Sequence, residues 1–219
     1  LLVRKVAQAK RQELTTNLPI MSAMHVLPDG TRWRFEASIP PASIATTITI
    51  RKYLKRDVWL ADYRGPGGMS HAQCEALVEA MAERRVVLIA GATGDGKSTL
   101  TNALLREAGG DGRRRVLVAE AEPELERPHL LSTMRQVCEG TAFDTRAAIE
   151  HAMRSLPSMV VVGELRTGPA AVECVKAWRT GHGGMTTLHA PSVTEAMWRL
   201  YDLVQEGSTS SVEPAYVAR

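Results

Sequence analysis

Residues 86–98 read Val-Val-Leu-Ile-Ala-Gly-Ala-Thr-Gly-Asp-Gly-Lys-Ser, and this stretch decides the fold. The apolar run Val86–Ala90 predicts a short buried strand. The glycines behind it match the phosphate-loop pattern GxxxxGK(S/T) over Gly91–Ser98. A helix is predicted to follow over 97–107, ended by the glycines of 109–112. A strand, a glycine-rich loop and a helix in this order predict a nucleotide-binding site.

The residue types of the loop suit a phosphate ligand. Glycines let backbone N–H groups curl around phosphate oxygens, and the helix behind the loop points its positive end at the same anion. Lys97 is predicted to reach the β- and γ-phosphates, and the Ser98 hydroxyl to bind Mg²⁺. The predicted nucleotide-binding residues of this segment are Gly91, Ala92, Thr93, Gly94, Asp95, Gly96, Lys97, Ser98 and Thr99.

Short apolar strands alternate with helices through the rest of the chain. Further strands are predicted over Val116–Ala119, Met159–Val162 and Met185–Leu188. Apolar residues spaced three and four apart predict further helices over 70–81, 149–156, 169–179 and 196–204. This alternation predicts an α/β fold with a mostly parallel sheet that helices cover on both faces.

Residues 1–52 have a different, strand-rich pattern. Strands are predicted over 33–39 and 44–50. We therefore expect a partial α+β N-terminal domain over 1–52, a linker over 53–69 and the α/β domain over 70–219. The chain begins with Leu and lacks a final apolar strand, so we expect residues to be missing at both ends.

The composition is that of a globular protein, since 44% of the 219 residues are hydrophobic and 23% are charged. A net charge of +3 and an aromatic fraction of 5% argue against direct nucleic-acid binding, which needs basic and stacking side chains. Cys74, Cys138 and Cys174 lie far apart, which favours reduced thiols over disulfides or a zinc site. No apolar run is long enough to span a bilayer.

Two acidic segments follow predicted strands. Glu164 comes after the strand Met159–Val162, where a water-activating base can sit in such a sheet; equally, it can form a structural pair with Arg166. The acidic segment Glu120–Leu125 follows another strand and can orient water or metal, or be a solvated loop. The residues alone leave both pairs of alternatives open.

His182 and His189 flank the last predicted strand. A histidine ring N–H can contact a γ-phosphate, although a structural histidine satisfied by its neighbours is the alternative reading. A zinc site is disfavoured, because no third or fourth ligand is suitably spaced.

Together these residues resemble the secretion ATPase superfamily, which powers type IV secretion, type II secretion and type IV pili. Four boxes occur in the family's order, at Gly91–Ser98, Glu120–Leu125, Val162–Arg166 and Gly181–Ala190. Within the superfamily, the motifs most similar to the TrbB-type conjugal transfer ATPases are Asn102–Leu105, Lys176–His182 and Thr49–Lys52.

The resemblance implies a RecA-like P-loop NTPase core and roles for individual residues. Arg51, and in addition Arg32 or Arg34, are candidates to stabilise phosphate charge from the N-terminal side. Arg154 matches an arginine that contacts the nucleotide across a subunit interface. The residues to which the resemblance assigns catalytic roles are Glu164 as base, Lys97, His189, His182 and Glu120.

The function that follows is an ATP-hydrolysing ring motor, a homo-hexamer, that uses ATP and Mg²⁺ to power a conjugative type IV secretion system. The resemblance also implies partner proteins of an inner-membrane secretion or pilus apparatus. It places the protein in the cytoplasm, peripheral to the bacterial inner membrane.

Four departures from the family's pattern keep alternatives open. Ala121 replaces an acidic residue, Leu156 an arginine and Asp95 a small neutral residue, and the histidine box is one residue shorter than in TrbB-type proteins. The shorter box points to a pilus extension or retraction ATPase. The three substitutions point to a nucleotide-gated assembly factor with little hydrolysis. A nucleic-acid translocase is the remaining alternative.

Overall fold

The computed structural model describes residues 2–10, 12–29, 31–53, 57–108, 114–121, 124–126, 133–137 and 142–218. The chain divides into two compact units, Leu1–Asp57 and Val58–Arg219. Among the features singled out in the sequence, those that lie outside the described residues are the glycines 109–112, residues 122–123 of the acidic segment and Cys138.

The first unit is a three-stranded antiparallel sheet with one helix. Its elements are α1 (Leu2–Ala9), β1 (Ile20–Val26), β2 (Arg32–Ser38) and β3 (Thr47–Tyr53), with the strands in the order β1-β2-β3. The prediction of a strand over 44–50 was wrong at its start. Ser38 pairs with Thr47, so the residues between them form the connection, and Ile44 in it is fully exposed.

The second unit is built on a five-stranded parallel sheet. Its strands are β4 (Val86–Gly91), β5 (Val116–Glu120), β6 (Thr133–Gln136), β7 (Met159–Val162) and β8 (Gly183–His189), in the order β4-β8-β7-β5-β6. All four predicted strands are present, and the predicted parallel sheet is confirmed. The central strands β5 and β7 are buried along their whole length, as expected of a sheet covered on both faces.

Helices cover the two faces of this sheet. They are α2 (His71–Ala82), α3 (Lys97–Ala108), α4 (Thr145–Met153), α5 (Gly168–Arg179), α6 (Val193–Gly207) and α7 (Pro214–Ala218), with a 3₁₀ turn at Leu60–Tyr63. Because side chains alternate along a strand, Met159 and Val161 pack with α2 and α3, whereas Val160 and Val162 pack with α4, α5 and α6.

Two boundaries differ from the sequence predictions. The helix predicted over 149–156 ends at Met153, so the placement of Leu156 on its buried face was wrong. Leu156 has a φ of +51° and is 85% exposed, because the chain turns after α4 to enter β7. Leu60, predicted to lie in a linker, is 2% exposed and packs in the core of the second unit.

The described cysteines behave as the sequence predicted for thiols. Cys74 and Cys174 are both free and buried. Burial raises the pKa of the Cys174 thiol, so it stays protonated at neutral pH. Among the helices of the described residues, none is long and apolar enough to cross a membrane.

Gly168 of α5 lies against the backbone of α6, and we expect an added methyl group there to destabilise the fold. A Cβ there would lie 2.5 Å from the Gly207 nitrogen and 2.8 Å from the Leu203 carbonyl oxygen. Because these are backbone atoms, Gly168→Ala should lower the free energy of unfolding by about 1–3 kcal/mol in urea titrations. The exposed Lys176→Ala in the same helix should stay within about 0.5 kcal/mol of wild type. Equal urea midpoints of unfolding for the two variants would contradict the close backbone contact at Gly168.

Candidate functional site

The glycine-rich loop and three of the predicted catalytic residues lie at one edge of the sheet. Since all five strands of the second unit are parallel, their carboxyl ends lie together, and this edge is where open α/β sheets bind ligands. The loop Gly91–Ser98 follows β4, Glu120 ends β5, Glu164 follows β7 and His189 ends β8. Gly91 and His189 are direct partners in the β4–β8 ladder.

The glycine-rich loop, Gly91–Ser98, has the backbone of an anion cradle. Gly94 and Gly96 have φ values of +93° and +85°, a region that glycine enters without steric cost. Helix α3 begins at Lys97, so its free N–H groups open toward the loop. The Lys97 amine donates hydrogen bonds to the carbonyl oxygens of Gly91 and Ala92, both at 2.9 Å. The amine would leave these carbonyls to reach a phosphate.

Asp95 turns its carboxylate back onto its own loop. Its Oδ2 accepts a hydrogen bond from the Ala92 N–H at 2.7 Å. A Cβ at Gly91 would lie 3.2 Å from the same oxygen, so a side chain at Gly91 would crowd this contact. Asp95 is exposed to solvent.

Ser98 contacts the carboxylate of Glu124, and the backbone of Glu124 is in turn bound to the carboxylate of Glu120. The Ser98 hydroxyl donates to Glu124 Oε2 at 2.6 Å. Glu120 is 6% exposed, and its Oε2 accepts from the backbone N–H groups of Glu124 and Leu125 at 2.9 and 3.0 Å. A hydroxyl and carboxylates are hard oxygen donors, which are the ligands that Mg²⁺ prefers. The donor chemistry at Ser98 therefore fits the predicted metal.

Gly163 makes room for the buried Glu120. A Cβ at Gly163 would lie 2.9 Å from the Glu120 Cβ and 3.6 Å from its Oε2. The Cβ of Glu120 thus occupies the space that a side chain just after β7 would fill. The sequence predicts that the acidic segment Glu120–Leu125 can orient water or metal, but only Glu120 is singled out within it. The position of Glu124 four residues after Glu120, in a loop at the same sheet edge, was the available signal.

Glu164 forms the ion pair that the sequence left as an alternative. Arg166 Nη2 lies 2.6 Å from Glu164 Oε2, and the Glu164 side chain is 33% exposed. The backbone around it is held to β8, since Leu165 N–H donates to the Thr187 carbonyl oxygen. A base role stays compatible with this pair, because catalytic hydrogen bonds often form only when substrate is bound.

The two histidines lie at opposite ends of β8. His189 is exposed at the carboxyl edge, next to the glycine-rich loop. His182 precedes the strand, with Nδ1 3.2 Å from both the Ala177 carbonyl oxygen and Thr180 Oγ1. Seven residues at about 3.3 Å each separate the two by roughly 20 Å. Within one chain, the structure does not bring His182 to the loop.

The candidate arginines lie away from the carboxyl edge or in the other unit. Arg154 is exposed just after α4, at the edge where β7 begins, which is the amino edge of the sheet. Arg51 lies in the first unit, 5.2 Å above the Tyr53 ring. Arg34, in the same unit, pairs with Glu36 at 2.8 Å, and Arg32 is the first residue of β2.

Comparison with protein families and sequences gives consistent matches. The family described as "Type II/IV secretion system protein" matches residues 2–213. The conjugal transfer protein TrbB of Rhizobium radiobacter is 35% identical, over 94% of this chain and 62% of that protein. The type IV secretion system protein PtlH of Bordetella pertussis is 29% identical, over 86% of this chain and 62% of that protein. The chain thus spans less than two thirds of the length of these relatives.

Solved structures share the fold. The Legionella pneumophila ATPase DotB has a TM-score of 0.64 at 27% identity, covering 90% of this chain and 53% of that one. The VirB11 ATPase of the Brucella suis type IV secretion system has a TM-score of 0.57 at 27% identity, covering 99% and 72%. The pilus retraction motor PilT, at 20% identity and a TM-score of 0.66, covers 84% and 51% and shows the fold alone.

Proposed function

Because this chain belongs to the type II/IV secretion system protein family, as its motifs predicted, we propose that it is a subunit of an ATP-hydrolysing motor. The motor would power a conjugative type IV secretion apparatus, by analogy with the relatives TrbB and PtlH. One observation carries the proposal. The carboxyl edge of the parallel sheet gathers the glycine-rich loop, Glu120, Glu164 and His189.

Binding of the nucleotide would use the loop and the start of α3. Backbone N–H groups of the loop and the N-terminal end of α3 would hold the phosphates, and the Lys97 amine would turn from the Gly91 and Ala92 carbonyls to the β- and γ-phosphates. Ser98 and Glu124, whose oxygens lie 2.6 Å apart, would hold Mg²⁺, which supplies charge neutralisation at the phosphates when bound.

Hydrolysis would depend on two further residues at the carboxyl edge of the sheet, Glu164 and His189. Glu164 would exchange its ion pair with Arg166 for a hydrogen bond to the attacking water, and orient or deprotonate it. His189, the ladder partner of Gly91, would donate a ring N–H toward the γ-phosphate. Because His189 is the last residue of β8, loss of that phosphate would remove a contact at the end of this strand.

A ring of subunits, which we take to be a hexamer, is part of the proposal. Arg154 and His182 lie at the amino edge, away from their own loop, so a nucleotide contact by either would have to come from another copy. The proposed partners are inner-membrane proteins of the secretion apparatus, and the proposed location is the cytoplasmic face of that membrane. Both rest on the relatives' membership of secretion and conjugation systems.

A nucleotide-gated assembly factor is the second candidate, and two contacts favour it. Lys97 is folded onto loop carbonyls, and Glu164 is engaged by Arg166. A protein that stayed in this arrangement would bind ATP and hydrolyse it slowly.

Phosphate release from ATP by the full-length protein separates the two candidates. The motor proposal expects Mg²⁺-dependent release whose rate per subunit rises with protein concentration, because the complete site forms in the ring. EDTA should abolish the release. Saturable ATP binding with negligible release at every protein concentration would reject the motor and favour the assembly factor.

A further inference from the structure

The glycine-rich loop carries an acid next to its functional lysine. Lys97 and Asp95 are the only charged residues of Gly91–Ser98, so the segment has no net charge. Asp95 lies two residues before the first residue of α3, in the positive field of that helix terminus. A bound phosphate would need the same field.

The contacts of Asp95 keep its charge within the loop. Oδ2 accepts the Ala92 N–H at 2.7 Å, while Lys97 donates to the carbonyl oxygens of Gly91 and Ala92. The two side chains therefore hold the same short stretch of backbone, one through its N–H and one through its carbonyls. When Lys97 turns toward a phosphate, Asp95 can keep its own bond and stay close to the ligand.

We propose that Asp95 is a specificity-determining residue that makes the site select the magnesium complex of a nucleoside triphosphate over the free nucleotide. The inference rests on the proposed nucleotide binding. Free ATP carries about four negative charges and its magnesium complex about two, so a fixed carboxylate repels the free form more strongly. At a separation on the order of 10 Å in water, each ligand charge changes the affinity about twofold.

Asp95→Asn isolates the charge from the hydrogen bond. The amide oxygen of Asn can still accept a hydrogen bond from the Ala92 N–H, so this bond within the loop is kept while the negative charge is lost. Asp202→Asn is the matched control, because it makes the same charge change at an exposed position of α6. Circular dichroism and melting temperatures of both variants check that each is folded.

The experiment measures equilibrium dissociation constants of the full-length proteins for ATP, once with excess Mg²⁺ and once with EDTA. For Asp95→Asn we expect affinity to rise about fourfold for the magnesium complex and about sixteenfold for free ATP. The preference for the magnesium complex should thus fall about fourfold. Asp202→Asn should change either constant less than twofold, and 0.5 M KCl should shrink the Asp95→Asn effect by screening.

Two results would overturn the inference while leaving the proposed function intact. One is an equal change for both ligand forms, which would mean that Asp95 does not sense ligand charge. The other is weaker binding of both forms by Asp95→Asn. That result would mean that the charged carboxylate mainly stabilises the loop conformation through its hydrogen bond with the Ala92 N–H. Absence of ATP binding by the wild-type protein, by contrast, would reject the proposed function itself.

Discussion

Lys97→Ala should weaken binding of MgATP by about 100-fold, since hydrogen bonds to charged groups contribute about 1.5–3 kcal/mol each. The lysine is the only cation of the glycine-rich loop, and its amine already lies at the loop, 2.9 Å from two of its carbonyl oxygens. Removing it leaves the phosphates without the only cationic side chain of the loop. Isothermal titration calorimetry with the full-length protein measures the change.

Lys176→Ala provides the control for this loss of a positive charge. Lys176 is exposed on α5, outside the glycine-rich loop, and its amine pairs with the partly buried Glu173 of the same helix. The dissociation constant of the Lys176→Ala variant for MgATP should match the wild-type value. Undiminished binding by Lys97→Ala, in a variant that melts at the wild-type temperature, would show that the nucleotide is held elsewhere.

Glu164→Gln should lower the rate of ATP hydrolysis by at least about 100-fold, because general base catalysis contributes factors of about 10² to 10⁴. The amide has nearly the same shape as the carboxylate but cannot take a proton. The affinity for MgATP should change less than about threefold, since the proposed role of Glu164 is toward water and not toward the phosphates. Steady-state rates and binding titrations together check both parts.

Glu173→Gln is the matched control, because it makes the same chemical change in a partly buried acid that also forms an ion pair, here with Lys176. It should retain full hydrolysis. If Glu164→Gln also keeps its rate within threefold of wild type, Glu164 serves only as the structural partner of Arg166. The base would then have to be sought among the other carboxylates at this edge, Glu120 and Glu124.

Much of the α/β unit could be predicted because its strands β4, β5 and β7 are short apolar runs, and β5 and β7 are fully buried. Met159–Val162 has four apolar residues in a row, and a strand buried on both faces needs no polar alternation. The loop Gly91–Ser98 was recognisable because its glycines are required by backbone conformation, with positive φ at Gly94 and Gly96. Such local requirements can be read from the sequence itself.

Elements that depend on distant partners were missed. Strand β6 has only four residues, and its sequence contains no apolar run that would predict a strand. It forms because it pairs with β5. The end of α4 was misjudged because Leu156 continues an apolar spacing but adopts a left-handed backbone. In each case a tertiary contact or a chain reversal outweighs the local pattern.

The same distinction holds for the candidate site. The positions of Glu120, Glu164 and His189 at one edge follow from the rule that parallel strands end together. The hydrogen bond from Ser98 to Glu124 joins residues 26 positions apart, so it needed the folded chain. The dependence of Glu120 on Gly163 is likewise a contact between neighbouring strand ends, on β5 and β7, that only the register reveals.

Hydrogen exchange with and without MgADP tests most directly whether the carboxyl edge of the sheet is the nucleotide site. We expect slower exchange of backbone amides in peptides that cover 91–99, because those N–H groups would bond to phosphates. In dilute, monomeric protein, peptides that cover 179–183, at the amino edge, should exchange at unchanged rates. Protection at 179–183 without protection at 91–99 would show that the nucleotide binds elsewhere.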